Sequence, residues 1–180
     1  MISLIVPYLE IDDEKPALLK RFLDSVEGQY DELIIVDSKT DSYTKKVNDG
    51  LKKATGDYLI VGSDDVYITK GTLRDLPNET KVTFPLINDQ PKSFGVLFCI
   101  PRNIYDKIGG FDEIYTIYCS DNDYLMTMQQ NNVVYENNSS INFVHPEGGR
   151  TVHKIIGVNT QREIDKQNYI KKWGEAPKDM

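Results

Sequence analysis

The sequence predicts an α/β domain with a mostly parallel central sheet flanked by helices. Three features of the chain point there. Compact apolar runs alternate with amphipathic stretches over about the first sixty residues, the rhythm of parallel strands joined by right-handed crossovers. Two of those runs end in acids, Asp37 after LIIV and the pair Asp64 and Asp65 after YLIV, and ligands of open α/β sheets bind at the carboxyl ends of strands. A chain of 180 residues is long enough for one well-buried domain and short for two.

Ser3 to Pro7 is the first strand. The opening MISLIVPYLE has no basic n-region and is interrupted by Pro7 and Glu10, so it reads as that strand and not as a signal peptide. Lys15 to Val26 has helical spacing, with Leu18, Leu19, Phe22, Leu23 and Val26 on one face. Pro16 falls in the first turn, where a missing N–H costs nothing. Leu33 to Val36 is a second strand ended by Asp37. Thr44, Val47, Leu51 and Ala54 mark a second helix, closed by Gly56, and Tyr58 to Val61 is the third strand. Farther on, Lys81 to Leu86 and Gly95 to Ile100 read as strands, and Pro101 to Ile108 as a short helix stopped by Gly109 and Gly110. Asp121 to Asn131 reads as a helix, Val133 to Tyr135 and Ile141 to Val144 as short strands. Gln161 to Trp173 reads as a terminal helix anchored by Ile164, Ile170 and Trp173. No repeat or low-complexity linker divides the chain, which predicts a single domain.

Charge and composition narrow the function. A net charge of −7 argues against a nucleic-acid surface and suits a site that holds cations. No apolar segment approaches the length that spans a bilayer. Cys99 and Cys119, each in an apolar or mixed run, fit reduced structural thiols, and the expected setting is cytoplasmic.

The richest segment is GDYLIVGSDDVYI, Gly56 to Ile68. Adjacent carboxylates repel, and a bound divalent cation is a common compensation because hard cations take oxygen ligands. An Asp-Asp pair also closes strands as a plain polar turn. Asp37 is suited to accept hydrogen bonds from a nucleobase or ribose, and equally to cap a helix. No G-x-G-x-x-G follows the first strand and no G-x-x-x-x-G-K-[ST] occurs, so a bound diphosphate would lean on a metal at Asp64 and Asp65. Downstream lie IGGFDE (108–113), CSDNDY (119–124) and FVHPEGGRT (143–151). Gly109 and Gly110 allow close approach of another group, or simply stop a helix. Asp121 and Asp123 sit at a helix start, which the helix dipole favours whatever their role. His145, one of two histidines, ends an apolar strand, where a metal ligand and a structural histidine are both open; His153 follows in a polar stretch.

The order of these pieces resembles the GT-A fold glycosyltransferases, specifically glycosyltransferase family 2. The strand ending in Pro7, the acid Asp37, the stretch Asn48, Gly50, Ala54 and Gly56, and the pair Asp64 and Asp65 follow the family's order. Gly95 to Glu113, SDND and VHPEGGRT continue it, so the resemblance spans roughly residues 2 to 153. Three positions depart from the family pattern: Ser38 for a second acid, Gly62 for the first Asp of D-x-D, and Ser120 for the Glu of E-D-x-D. The chain also ends soon after His153 and lacks the longer C-terminal region of many members, so an open site with some donor hydrolysis is expected.

The resemblance implies one GT-A domain over 1–180, with a nucleotide-binding half at 1–68, an acceptor and catalytic half at 80–153 and a C-terminal helix at 160–174. It implies an inverting transfer of a sugar from a nucleoside diphosphate sugar, by default a UDP-hexose, to an unidentified acceptor hydroxyl. Asp65 and His145 would hold Mn²⁺ or Mg²⁺, Asp121 would be the general base, and Pro7, Asp37, Asp64 and Gly110 would contact the donor. A non-catalytic nucleotide-sugar-binding module is the alternative. A nucleotidyltransferase would want a basic glycine-rich loop after the first strand, where PYLEIDDEK offers acids and no glycine.

Overall fold

The computed structural model of the chain describes residues 1–91, 94–146 and 157–177. His153 therefore lies outside the described residues, as does most of the PEGGRT segment. The elements are β1 (Ile2–Tyr8), α1 (Lys15–Ser25), β2 (Glu32–Asp37), α2 (Tyr43–Lys53), β3 (Tyr58–Gly62) and β4 (Tyr67–Lys70). After a 3₁₀ turn at Leu73–Asp75 come β5 (Lys81–Ile87), β6 (Leu97–Pro101), α3 (Arg102–Ile108), α4 (Ser120–Gln130), β7 (Val134–Val144) and α5 (Val158–Trp173).

One seven-stranded sheet runs in the order β2-β1-β3-β6-β5-β7-β4. β1 pairs parallel with β2 and β3, and β5 parallel with β7, while β6 and β4 make the antiparallel ladders. Five strands thus share one direction and two oppose it. All seven residues of β1 are buried, as expected of a central strand covered on both faces. Leu4 and Val6 pack with Phe22 and Val26 from the α1 side, and Ile5 packs with Val47 and Leu51 of α2 on the other side. Ser42 caps α2 by accepting a hydrogen bond from the Lys45 N–H at 3.1 Å, which satisfies one orphan donor of the first turn.

The second half departs from expectation at three places. β4 is a strand that the mixed sequence YITK does not announce, because its pairing partner lies in β7, far along the chain. The two short strands expected at 133–135 and 141–144 are one long strand. Its polar middle stays in the ladder through Asn137 and Asn138, which pair with Phe84 and Pro85. The register shifts between Pro85 and Leu86, where proline has no N–H for the ladder. α5 does not use Ile164 as an anchor, for that side chain is 49% exposed. Its buried face is Val158, Asp165 and Tyr169, the last two one turn apart. Among the described residues, no helix is long and apolar enough to cross a membrane.

Candidate active site

The carboxyl ends of the five co-directional strands lie along one edge of the sheet, and a cavity of about 680 Å³ opens there. β1 contributes Pro7 and Tyr8, the end of β3 contributes Ser63, Asp64 and Asp65, β5 delivers Ile87 and Asn88, and β7 delivers His145. The reversed strand β6 enters from the same edge, so Gly95 and Val96 line the wall, and the start of α4 adds Cys119 to Asn122. Pro7, Asp64, Asp65, Asp121 and His145 are therefore brought together.

Asp37 and Gly110 are placed differently. Asp37 is exposed at the end of β2, in register with Tyr8, and is not among the lining residues. Gly110 packs on the Asn48 side chain. That asparagine binds the main chain of Phe111 twice, accepting from its N–H and donating to its carbonyl at 2.8 Å each, and donates to Glu113 Oε1 at 2.9 Å. This explains why the N-x-G and G-G-F-D-E segments occur together: one clasps the other, and Phe111 lines the cavity.

The adjacent acids Asp64 and Asp65 have different partners. Asp64 is 4% exposed, and its Oδ1 is 2.6 Å from Nζ of Lys15, itself 1% exposed. Burial pushes the Asp64 carboxyl above its usual range, with the Lys15 ammonium working against that rise. Asp65 is equally buried, yet its carboxyl lies below the usual range. Burial raises it, but hydrogen bonds from His145 and Ser63 outweigh that effect. Ser63 Oγ donates to Asp65 Oδ1 at 2.5 Å and His145 Nε2 stands 3.4 Å from the same oxygen.

Two ligands adjacent on one divalent ion, each about 2.0–2.2 Å from it, lie roughly 3 Å apart. The Asp65 and His145 pair fits that requirement, with one oxygen and one imidazole donor. Asp64 is committed to Lys15, and among the described residues no cluster of three His, Cys, Asp or Glu is placed to hold an ion. The remaining positions on a cation would fall to water and to a substrate. Gly62 accounts for one departure from the family pattern. A Cβ there would come within 2.7 Å of Phe22 Cζ, so the first Asp of a D-x-D has no room.

Asp121 sits in the first turn of α4, with Gly95 beside it. A Cβ on Gly95 would approach Asp121 Oδ2 to 2.9 Å, and Gly95 has φ of +139°, a conformation that favours glycine. Tyr43 donates to the Gly95 carbonyl at 3.2 Å. Burial pushes the Tyr43 hydroxyl far above its usual range, and the charges of Asp121, Asp65 and Asp64 add to the effect, so it remains a neutral donor. Cys119, just before α4, has a left-handed φ of 61°, an uncommon state for a side-chain-bearing residue and one that gathers at functional sites. Its thiol is pushed up to about 12, chiefly by burial, which keeps it protonated and unreactive.

Asp123, the other acid of SDND, faces away into structure. Its Oδ1 accepts from Tyr115 Oη at 3.0 Å and Trp173 Nε1 at 2.8 Å, and Lys172 Nζ lies 2.8 Å away. Sequence reading missed three further residues: Lys15, Lys46 and Asp165. Lys46 is buried and donates to the Tyr8 carbonyl at 2.8 Å. Asp165 is fully buried and accepts from the N–H groups of Thr116, Ile117 and Tyr118 at 3.1, 3.0 and 2.9 Å, fixing the loop that walls the cavity. An acid in the middle of a largely polar helix carries no local signal that distinguishes such a role.

The sequence matches no protein-family model and, at a significant level, no curated protein. Solved structures do match. The catalytic domain of Drosophila β1,4-galactosyltransferase 7 in complex with xylobiose aligns with a TM-score of 0.63 and 15% identity, over 83% of this chain and 72% of that one. A mutant of the Drosophila enzyme complexed with manganese, UDP-Gal and xylobiose aligns at 0.61 and 16%, over 83% and 72%. GalNAc-T7 with UDP, GalNAc and Mn²⁺ aligns at 0.69 and 13%, over 81% of this chain and 43% of that one. These neighbours are GT-A fold glycosyltransferases, and this chain has their fold.

Proposed function

We propose that this chain is a metal-dependent, inverting glycosyltransferase of family 2 type, which moves a hexose from a UDP-sugar to an acceptor hydroxyl. The observation that supports it most directly is the convergence of the Asp65–His145 pair and Asp121 in one cavity at the carboxyl edge of the sheet. The fold adds support, since two of its solved neighbours were crystallised with UDP or UDP-Gal and manganese.

In this reading Asp65 and His145 hold Mn²⁺ or Mg²⁺, and the mixed oxygen and imidazole set favours Mn²⁺. A cation bound there offsets the negative charge that develops on the departing diphosphate. Pro7 and Asp64 form the donor wall, Asp37 receives the nucleobase or ribose at the rim, and Gly110 supports the wall through Asn48 and Phe111. The acceptor oxygen attacks the anomeric carbon, the bond from that carbon to the diphosphate breaks, and Asp121 takes the hydroxyl proton. Such general-base help is worth about 10²–10⁴-fold. A single displacement inverts the anomeric centre. One transferase domain is proposed, its halves at 1–68 and 80–153 contributing strands to the same sheet and the 160–174 helix closing the acceptor side.

The Lys15–Asp64 ion pair removes one carboxylate from the metal's reach, and that observation favours a second reading, a non-catalytic nucleotide-sugar-binding module. A panel of nucleotide sugars, with and without Mn²⁺ and with sugar acceptors, separates the two through release of free nucleotide. Release that needs Mn²⁺, rises with acceptor and disappears in Asp121→Asn while donor binding persists is the expected result. Donor binding without release under every condition would establish the binding module instead.

A further inference from the structure

β5 ends at Ile87, and the chain reverses through Asn88 and Asp89, both left-handed at φ of 52° and 59°. Ile87 and Gln90 close this turn with reciprocal backbone hydrogen bonds of 3.0 Å. Asn and Asp are the side-chain-bearing residues that best tolerate such angles. The Asn88 N–H donates to the Phe143 carbonyl at 2.8 Å, tying the turn to the end of β7. Its side chain then reaches one step further. Oδ1 accepts from the His145 N–H at 3.1 Å, and Nδ2 donates to the His145 carbonyl at 3.0 Å. Only one orientation of the amide satisfies both bonds, since a flipped amide sets donor against donor and acceptor against acceptor.

β7 ends at Val144, so His145 lies one residue past the ladder. Asn88 grips it with a side chain that imitates the next rung. We propose that Asn88 is a positioning residue, which fixes the His145 main chain so that Nε2 stays turned toward Asp65 Oδ1 and the two ligands are preset for a divalent cation. The inference rests on the reading of Asp65 and His145 as metal ligands. Both Asn88 bonds are solvent-exposed, so they add little to global stability and their value lies in orientation.

Asn88→Gly is the informative change, because glycine keeps the left-handed turn and removes both side-chain bonds. Binding of the Mn²⁺–UDP complex is followed calorimetrically beside a thermal melt. Weakening by about 10–100-fold is expected, the usual effect of losing a group that orients a metal ligand, with the melting temperature nearly unchanged. A cycle with His145→Ala supplies the second arm. Asn88 holds the main chain, so its bonds survive that substitution, and adding Asn88→Gly to His145→Ala should weaken the complex no further. Unchanged binding in Asn88→Gly, or an additive loss in the double variant, overturns the positioning role while leaving the metal reading intact. A wild-type chain that does not bind the complex overturns the metal reading and the positioning role together.

Discussion

At the residue scale, the 2.6 Å contact between Lys15 and Asp64 divides the work of two neighbouring acids. Asp64 is held as half of a buried ion pair, and Asp65 is left facing His145. Substitutions at the two positions should therefore fail in different ways. Asp64→Ala removes the carboxylate 2.6 Å from the buried Lys15 ammonium, a loss of up to about 3–5 kcal/mol, seen as a lowered midpoint in denaturant. Asp65→Ala should abolish the mutual dependence of Mn²⁺ and UDP binding, with a smaller change in that midpoint. Equal nucleotide affinity in chelator and in Mn²⁺ for the wild type would remove the metal from the account. The acids themselves were legible, because an acidic pair after an apolar run of β-formers is a local pattern. Their division was not. Lys15 lies 49 residues from Asp64, and at the start of a helix a lysine looks like any solvated charge. Gly62 is a similar case: its missing side chain is explained chiefly by Phe22, which α1 brings over the end of β3, with Leu97 close behind.

At the scale of elements, α5 belongs to the site without lining it. Asp165 gathers three consecutive N–H groups of the 116–118 loop, and Arg162 lies over the Tyr118 ring with 5.5 Å to its centroid. Asp165→Ala leaves those donors to find water, at a cost of up to about 1–3 kcal/mol for each that stays unpaired. The expected outcome is a lower melting temperature and a raised KM for the acceptor, with calorimetric binding of UDP unchanged. A matching loss of UDP affinity would show that the loop serves the donor instead. Helices α1 and α2 were legible because their apolar faces recur at helical spacing. α5 was legible as a helix and misleading in its packing, for its buried face is built on Asp165 and Tyr169 while the apolar Ile164 points outward. A hydrophobic-face argument cannot find a contact made by a carboxylate with backbone amides.

For the whole molecule, titration sets an acid limit. Asp31, Glu32, Asp49, Asp57 and Asp112 all have carboxyls below the usual range. Hydrogen bonds to the Ile2 N–H, Ser3 hydroxyl, Lys45 and the chain's amino group lead for the first four; for Asp112 burial raises the carboxyl most, and the Lys172 and Ile114 hydrogen bonds with the Lys172 charge together outweigh it. A carboxyl that is more acidic in the folded chain contributes stability above its unfolded value, near 3.9–4.3. That contribution is lost as pH falls through the folded value. Thermal melts should therefore hold level toward neutral pH and drop below about pH 4; a melting temperature unchanged well into acid would show that these contacts contribute nothing. The alternating first half of the fold was readable because β1, β2 and β3 are joined by adjacent crossovers. In the second half β5, β6, α3 and α4 were readable as separate elements, whereas β4 and the continuity of β7 were not, since β4 finds its partner far along the chain and β7 carries asparagines where a strand pattern expects apolar residues. That wiring also bears on synthesis. The nascent chain exposes Asp65 early, while the histidine that faces it and the asparagine that steadies that histidine come together only after β7 has joined β4 and β5. Long-range pairing of this kind is slow to form, so the Asp65–His145 pair is assembled only once the distant strands have joined, and on the proposed reading a half-made chain would not yet hold a cation there.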